Sequence, residues 1–227
     1  MTSGITSLDA PLAFAPRAEF YYSNPANGLV GQILRKVAVK PYPQLAGELF
    51  AELGMTDTAV FQPGMEDAFV AGHSGTPNAP MSIAFADFRF SEERWKAFMP
   101  TGGVVSTAAD LLIWDKSLHD GELLTRGSYD RLTDYSITRP PSAFASEGAG
   151  YGYGVMIDDQ SNPRNLGHTG KGMGFVSIKF YVPERDLSVI VLENFYLSPA
   201  NTENPQIIYH FETAIKETVM EWLAQRS

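Results

Sequence analysis

The 227-residue chain contains no cysteine. That excludes a disulfide, a thiol nucleophile and any cysteine-ligated metal, and it leaves the redox compartment open. Basic residues are in the minority, since 17 Lys and Arg against 26 Asp and Glu give a net charge of -9. Binding a phosphate backbone needs a basic face, so nucleic acid is not an expected partner. No apolar run is long enough to span a bilayer, and Met1 to Ile5 carry neither the basic segment nor the apolar stretch of a signal peptide. Histidines number four, at 73, 119, 168 and 210, and no His-x-x-x-His or similar pair exists, so no metal or other cofactor is expected. Internal repeats and low-complexity tracts are absent too.

What is present is enough apolar sequence for a core. With 44% hydrophobic residues over this length, one domain or two intimately packed lobes is expected. The most informative stretch is Gly167-His168-Thr169-Gly170-Lys171-Gly172-Met173-Gly174-Phe175. Four glycines in so short a span mark a backbone approached closely, by another strand or by a ligand. Beyond it Val176, Ile178 and Phe180 alternate with Ser177, Lys179 and Tyr181, and Leu187 to Leu192 is nearly all apolar. That predicts two antiparallel strands about a Pro183 to Asp186 turn, the second more deeply buried than the first.

Upstream, Tyr22-Ser23-Asn24 enters a helix whose Leu29, Val30, Ile33, Leu34 and Val37 have amphipathic spacing. A plain reading makes Asn24 a helix cap and Tyr22 a packing residue. A second helix with Leu45, Leu49, Phe50 and Leu53 inward stops at Gly54, and Gly54-Met55-Thr56-Asp57-Thr58 follows as a turn. Residues 56–100 show little periodicity and read as a long loop whose Phe85, Phe88, Phe90, Trp95 and Phe98 either line a substrate pocket or tie the loop to the core. Thr107 and Asp110 have capping-box spacing ahead of a helix ending at Gly121, and a further short helix starts at Ser128. Residues 137–150 form a loop, Tyr151-Gly152-Tyr153-Gly154 opens a strand, and His119 at a helix end suits the dipole there. The last helix starts at Asn204-Pro205 and buries Ile208, Phe211, Ile215, Val219 and Trp222.

Several of these segments, in order, resemble motifs of the serine β-lactamase and penicillin-binding-protein family, in the branch of class C β-lactamases, D-Ala-D-Ala peptidases and β-lactamase-like esterases. His168-Thr169-Gly170 resembles its Lys/His-Thr-Gly triplet, Tyr22-Ser23-Asn24 its Tyr-x-Asn, and Gly54 to Thr58 its Gly-Met-x-x-Thr turn. Gly102-Gly103 through Leu111 resembles Gly-Gly-x-x-Ser-Thr-x-x-Asp-Leu, Tyr151 to Gly154 the Tyr-Gly-x-Gly strand, and Met1 to Ile5 a His-Thr-Ser-Gly-Leu segment that falls well after the nucleophile helix. The resemblance implies an α+β fold: an antiparallel sheet flanked by helices plus a helical lobe, with the site at their junction and the N-terminal part of the sheet missing. It divides the single domain 1–227 into a mostly helical lobe, 1–148, containing the long loop, and sheet strands with the C-terminal helix, 149–227.

It also implies roles. Tyr22 would relay a proton, needing a nearby cation because a free phenol titrates near about 10. Asn24 would donate its amide to the substrate, His168 would shape the field beside the leaving group, and Thr169 and Gly170 would align the substrate like an added strand. The N–H of Lys171 would be an oxyanion donor. The family's nucleophile sits in Ser-x-x-Lys, yet no serine here has a lysine three residues on. Ser23 and Ser74 read as ordinary loop serines. The expectation is therefore a serine hydrolase of ester, amide or β-lactam bonds, acting through an acyl-enzyme on a small-molecule or peptide substrate. Its nucleophile lies on a segment not given, so the isolated chain is expected inactive or weak. The alternative is a non-catalytic binding module for a peptide or partner protein. A sheet lacking strands would leave apolar surface uncovered, so an oligomer or a complementing N-terminal segment is the expected partner.

Overall fold

The structure is a computed structural model that describes residues 11, 13–83, 91–197 and 208–226. Expectations resting on Met1 to Ile5, on Phe85, Phe88 and Phe90, and on the Asn204-Pro205 helix start lie outside the described residues. The elements run α1 (Asn24–Ala38), α2 (Tyr42–Leu53), β1 (Ala59–Val60), β2 (Gly72–Thr76), β3 (Ala79–Ile83), α3 (Glu92–Gly102), β4 (Val104–Val105) and α4 (Ala108–His119). Then come α5 (Arg126–Leu132), β5 (Thr138–Arg139), β6 (Ala149–Tyr151), β7 (Met156–Asp158), β8 (Asn165–Gly172), β9 (Phe175–Val182), β10 (Leu187–Glu193), β11 (Phe195–Leu197) and α6 (His210–Ala224). The chain forms two compact units, Met1–Val70 with Ala84–Trp114, and Ala71–Ile83 with Asp115–Ser227. This division differs from the one expected between 148 and 149. The stretch 56–100, expected as one long loop, carries β1, a 3₁₀ turn, β2, β3 and most of α3. Gly- and Pro-rich strands of two to five residues show too little alternation to be read from pattern.

In the first unit Ser23 caps α1 by accepting the Ala26 amide at 3.3 Å, so Asn24 is the first helical residue and not the cap. The helix forms where expected, but its faces are reversed. Gly28 and Gly31 are its buried residues, while Leu29, Val30, Ile33, Leu34 and Val37 are between 45% and 79% exposed. The cause is close packing on α3: a Cβ at Gly31 would stand 2.1 Å from Pro100 Cγ, so only glycine lets the two helices approach. Trp95 and Phe98 on α3 stack at 5.3 Å, and Trp95 meets Phe61 edge-on at 5.0 Å. Phe61 and Trp95 are buried in the unit's core, and Phe98 is half-buried against Trp95.

Two sequence motifs meet at Asp110, which is buried. One carboxylate oxygen accepts from the Asp57 amide at 2.8 Å and from Thr58 Oγ1 at 2.7 Å. Thr107 caps α4 by accepting the Asp110 amide at 3.2 Å. Only half of the expected capping box forms, because the Asp110 side chain serves the Gly54 to Thr58 turn instead.

The second unit holds a six-stranded antiparallel sheet in the order β10-β9-β8-β7-β6-β5, and a three-stranded sheet, β11-β2-β3, in which β11 and β2 are parallel. On β9, Val176, Ile178 and Phe180 are buried as their alternation predicts. β10 is the edge strand of its sheet and is only half-buried, so the expected order of burial is reversed. Tyr151 to Gly154 is not one strand: β6 ends at Tyr151 and Gly154, at φ +80°, turns the chain into β7. A two-residue strand, β5, lies within 137–150, and α5, capped by Thr125, begins at Arg126, two residues before its expected start.

α6 is rotated from its expected face. Ile208, just ahead of it, is buried, and Val219 is half-buried, but Glu212, Lys216 and Leu223 complete the inward side while Phe211 and Trp222 are each 48% exposed. Lys216 explains this: its ammonium pairs with buried Asp158 at 3.1 Å, donates to the Phe144 carbonyl and lies 3.9 Å from the Phe144 ring centre. Burial alone would raise the Asp158 carboxyl, but Lys216 and the Ser161 hydrogen bonds hold it below its ordinary value.

Candidate active site

The glycine-rich stretch is β8 and the turn into β9. Gly167 is needed because a Cβ there would lie 1.9 Å from the Lys179 carbonyl oxygen on β9. Met173 and Gly174, at φ +53° and +84°, form the two-residue hairpin turn between Gly172 and Phe175, matching the right-handed strand twist. β2 closes on that turn. The His73 amide donates to the Gly174 carbonyl at 3.2 Å and to the Asn194 carbonyl at 2.8 Å, and a Cβ at Gly72 would strike the Met173 carbonyl.

β7 pairs only with Asn165 to Gly167, whereas β9 pairs with Leu166 to Gly172. From His168 onward, β8 is therefore open on its β7 side among the described residues. His168, Thr169 and Gly170 are half-buried there and Lys171 is exposed.

His168 is locked from two sides. Its Nδ1 lies 2.5 Å from the Thr169 carbonyl oxygen, which only accepts, so Nδ1 carries the proton. Its Nε2, 3.0 Å from the Tyr151 hydroxyl, is then the acceptor. Burial lowers the proton affinity of the ring, and Arg139 and Lys179 lower it further against the opposing pull of the Thr169 carbonyl. The imidazole is thus a neutral element that turns one face to a phenol. Lys179 is directly opposite His168 in the β8–β9 register, and its ammonium is held by the fully buried Asp115. His119 stacks on Tyr181 at 3.9 Å and hydrogen-bonds Tyr129 at 2.7 Å. Burial, with Lys179, pushes it down to about 4, so it is not the dipole-favoured cation expected at the end of α4.

Of the two serines considered as a substitute nucleophile, only Ser74 sits outside a loop. Ser23 is the α1 cap, and Ser74 lies on β2 paired with Met81 and Tyr196. Successive strand residues point to opposite faces, so His73 cannot serve Ser74 as a base. Tyr22 and Asn24, at the start of α1, are exposed members of the first unit.

The sequence model of the family described as Beta-lactamase matches residues 6–209. The chain belongs to the beta-lactamase family. The D-alanyl-D-alanine-carboxypeptidase/endopeptidase AmpH of Escherichia coli K12 is 24% identical over 194 residues, which cover 81% of this chain and 47% of that protein. The chain therefore spans about half the length of the curated relatives it matches. Among solved structures, the D-amino acid amidase of Ochrobactrum anthropi SV3 superposes with a TM-score of 0.70 at 20% identity, covering 93% of this chain and 61% of the amidase. A penicillin binding protein from Bacillus halodurans gives 0.66 at 20% identity, with 92% and 59% covered. The α+β fold is thus of the β-lactamase/transpeptidase type. In this beta-lactamase-family chain the residue that reading by motif did not single out is Tyr151. It was visible only as the first letter of a Tyr-Gly-x-Gly strand, and its hydroxyl reaches His168 because β6, β7 and β8 are neighbours.

Proposed function

We propose that this chain is the substrate-holding part of a serine hydrolase that opens ester, amide or β-lactam bonds through an acyl-enzyme, with the attacking serine supplied from outside these 227 residues. The observation that carries the reading is the open edge of β8 at His168 to Gly172, beside a histidine fixed in one tautomer. An exposed strand edge offers unpaired backbone groups to an extended acyl or peptide chain. In this reading Thr169 and Gly170 align the substrate, the Lys171 N–H stabilises the oxyanion, and neutral His168 with Tyr151 shapes the field at the leaving group. Tyr22 relays the proton and Asn24 holds the acyl side chain. The absence of any Ser-x-x-Lys, and the structural duties of Ser23 and Ser74, support an outside nucleophile. The apolar stripe left exposed on α1 supports a complementing polypeptide as partner.

Similar proteins named for D-alanyl-D-alanine and for D-amino acid amides make D-configured amides the first substrates to test. A fluorescent penicillin should leave the isolated chain unlabelled. Joined to a segment bearing Ser-x-x-Lys, the chain should hydrolyse a D-amino acid amide, a nitrophenyl ester or a chromogenic cephalosporin, and Tyr22→Phe should remove most of that turnover. Labelling of the isolated chain at Ser23 or Ser74 would overturn the outside nucleophile. Ligand binding without turnover in every joined form would make the chain a binding module instead.

A further inference from the structure

β9 is covered on both faces. Ile178, Phe180 and Val182 fill the apolar core on one side, and the alternate residues Lys179 and Tyr181 meet α4 on the other. Lys179 is directly opposite His168 in the β8–β9 register, so both side chains leave the same face with Cβ atoms about 4.5–5.5 Å apart. Lys179 then reaches Asp115 on α4, while Tyr181 stacks on His119, one helical turn beyond Asp115. Asp115 is fully buried, and its second carboxylate oxygen has no hydrogen-bond partner among the described residues. His119 Nε2 lies 4.0 Å from the first oxygen. Stability alone does not require an ion pair here, because an apolar pair of similar volume often holds a helix to a sheet as well or better. What the pair adds is a fixed charge, and it falls on two rings. Burial pushes His119 down to about 4, and Lys179 is the foremost charge acting the same way, against the pull of Asp115, Asp120 and Asp186. In His168 burial again comes first, opposed by the Thr169 carbonyl, and Arg139 on β5 and Lys179 lower it further. The other titrating or charged neighbours are Tyr151 on β6, bonded to His168, Tyr129 on α5, bonded to His119, and Lys171, exposed on β8.

We propose that Lys179, anchored by Asp115, is a positioning residue of the candidate site: it keeps one positive charge fixed alongside His168, so that the imidazole stays the neutral acceptor of the Tyr151 hydrogen bond. A second cation beside the first is opposed by repulsion. His168 therefore retains a single proton, on Nδ1, where the Thr169 carbonyl holds it, and the ring keeps its place at the start of the open β8 edge. The bearing of Lys179 on catalysis rests on the substrate-holding reading above.

The first test needs neither nucleophile nor ligand. The ring protons of His168 and His119 are followed by NMR through a pH titration of the isolated chain. In the unaltered protein the His168 midpoint should lie below the ordinary 6.5, and a midpoint at or above it would overturn the proposal whatever the variants do. Lys179→Met should raise the His168 midpoint by about half a pH unit. Lys179→Arg should leave it in place, and Asp115→Asn, which strips the ammonium of its counter-charge, should lower it. His119 should follow in the same directions. A brace without an electrostatic role would loosen in both Lys179→Met and Asp115→Asn, and the His168 midpoint would then rise in both; that result would overturn the proposal. If Lys179→Met does not fold around an unpaired Asp115, Lys179→Gln takes its place, since its amide can still donate to the carboxylate, and an unchanged His168 midpoint there would be equally decisive against it. In the chain joined to a Ser-x-x-Lys segment, the acid limb of the kcat/KM profile should move upward with the His168 midpoint, and a limb that stays put while the ring shifts would overturn the positioning role. Shifted rings with no turnover in any joined form would sink the hydrolase reading and leave the charge alongside His168 standing.

Discussion

The helices α1 and α6 break the amphipathic rule in opposite directions. α1 turns two glycines inward and leaves Leu29, Val30, Ile33, Leu34 and Val37 to solvent, whereas α6 buries Glu212 and Lys216 and leaves Phe211 and Trp222 half in water. In α6 the inversion is compensated inside the unit, since Lys216 finds Asp158 and the Phe144 carbonyl. In α1 the glycine contact with α3 is satisfied, but the apolar stripe is left over. The buried ammonium of α6 has its partners already, and a helix that exposes a row of aliphatic side chains is set up to receive them.

The comparison can be broken most severely at Lys216. Lys216→Met leaves the Asp158 carboxylate buried without its cation, and urea unfolding should show a loss of about 3–5 kcal/mol. Replacing both partners with apolar residues should recover most of it. Next comes Gly31→Ala, whose methyl would run into Pro100; a loss of about 1–3 kcal/mol is expected. The control, Gly47→Ala at an exposed position of α2, has nothing within 4 Å and should stabilise by about 0.5–1 kcal/mol.

A third contrast is in pH. Burial, with repulsion from Glu193, pushes Glu212 up to about 7 from an ordinary value of 4.5, against a lowering influence from His210. The folded chain therefore holds a proton that the unfolded chain releases between those values. The stabilising contribution is complete below about 4.5 and is lost as pH rises through about 7. Glu212→Gln should flatten that fall in Tm between pH 5 and 8, and an unchanged slope would count against it. The smallest effect on stability belongs to Ile33→Gln, within about 0.5 kcal/mol because the side chain is already in water. It should instead reduce self-association of the isolated chain in sedimentation, and a chain that is a monodisperse monomer before the change would count against α1 as a docking face.

Much of the candidate site could be read from residue order alone. His168-Thr169-Gly170 lies on a strand open along one side, Gly167 is where another backbone comes within contact, and the alternation of Val176, Ile178 and Phe180 gives the buried face of β9. What stayed hidden depends on neighbours distant in sequence. Tyr151 matters because β6 lies one strand beyond β7 from β8, 17 residues separating Tyr151 from His168 along the chain. β10 looked like an inner strand because its residues are apolar, but burial is set by how many neighbours a strand has, and β10 has one in its sheet.

Local pattern by itself settled where the main helices and strands run, which residues turn the chain, and that no cysteine or Ser-x-x-Lys chemistry is available within these residues. Those are properties of short windows, governed by backbone preference and side-chain type. Which face of α1 or α6 looks inward, which protons His168 and Glu212 hold, and which phenol meets His168 were decided by packing. The reason is that burial and charge act through space, between groups that meet only after the chain has folded.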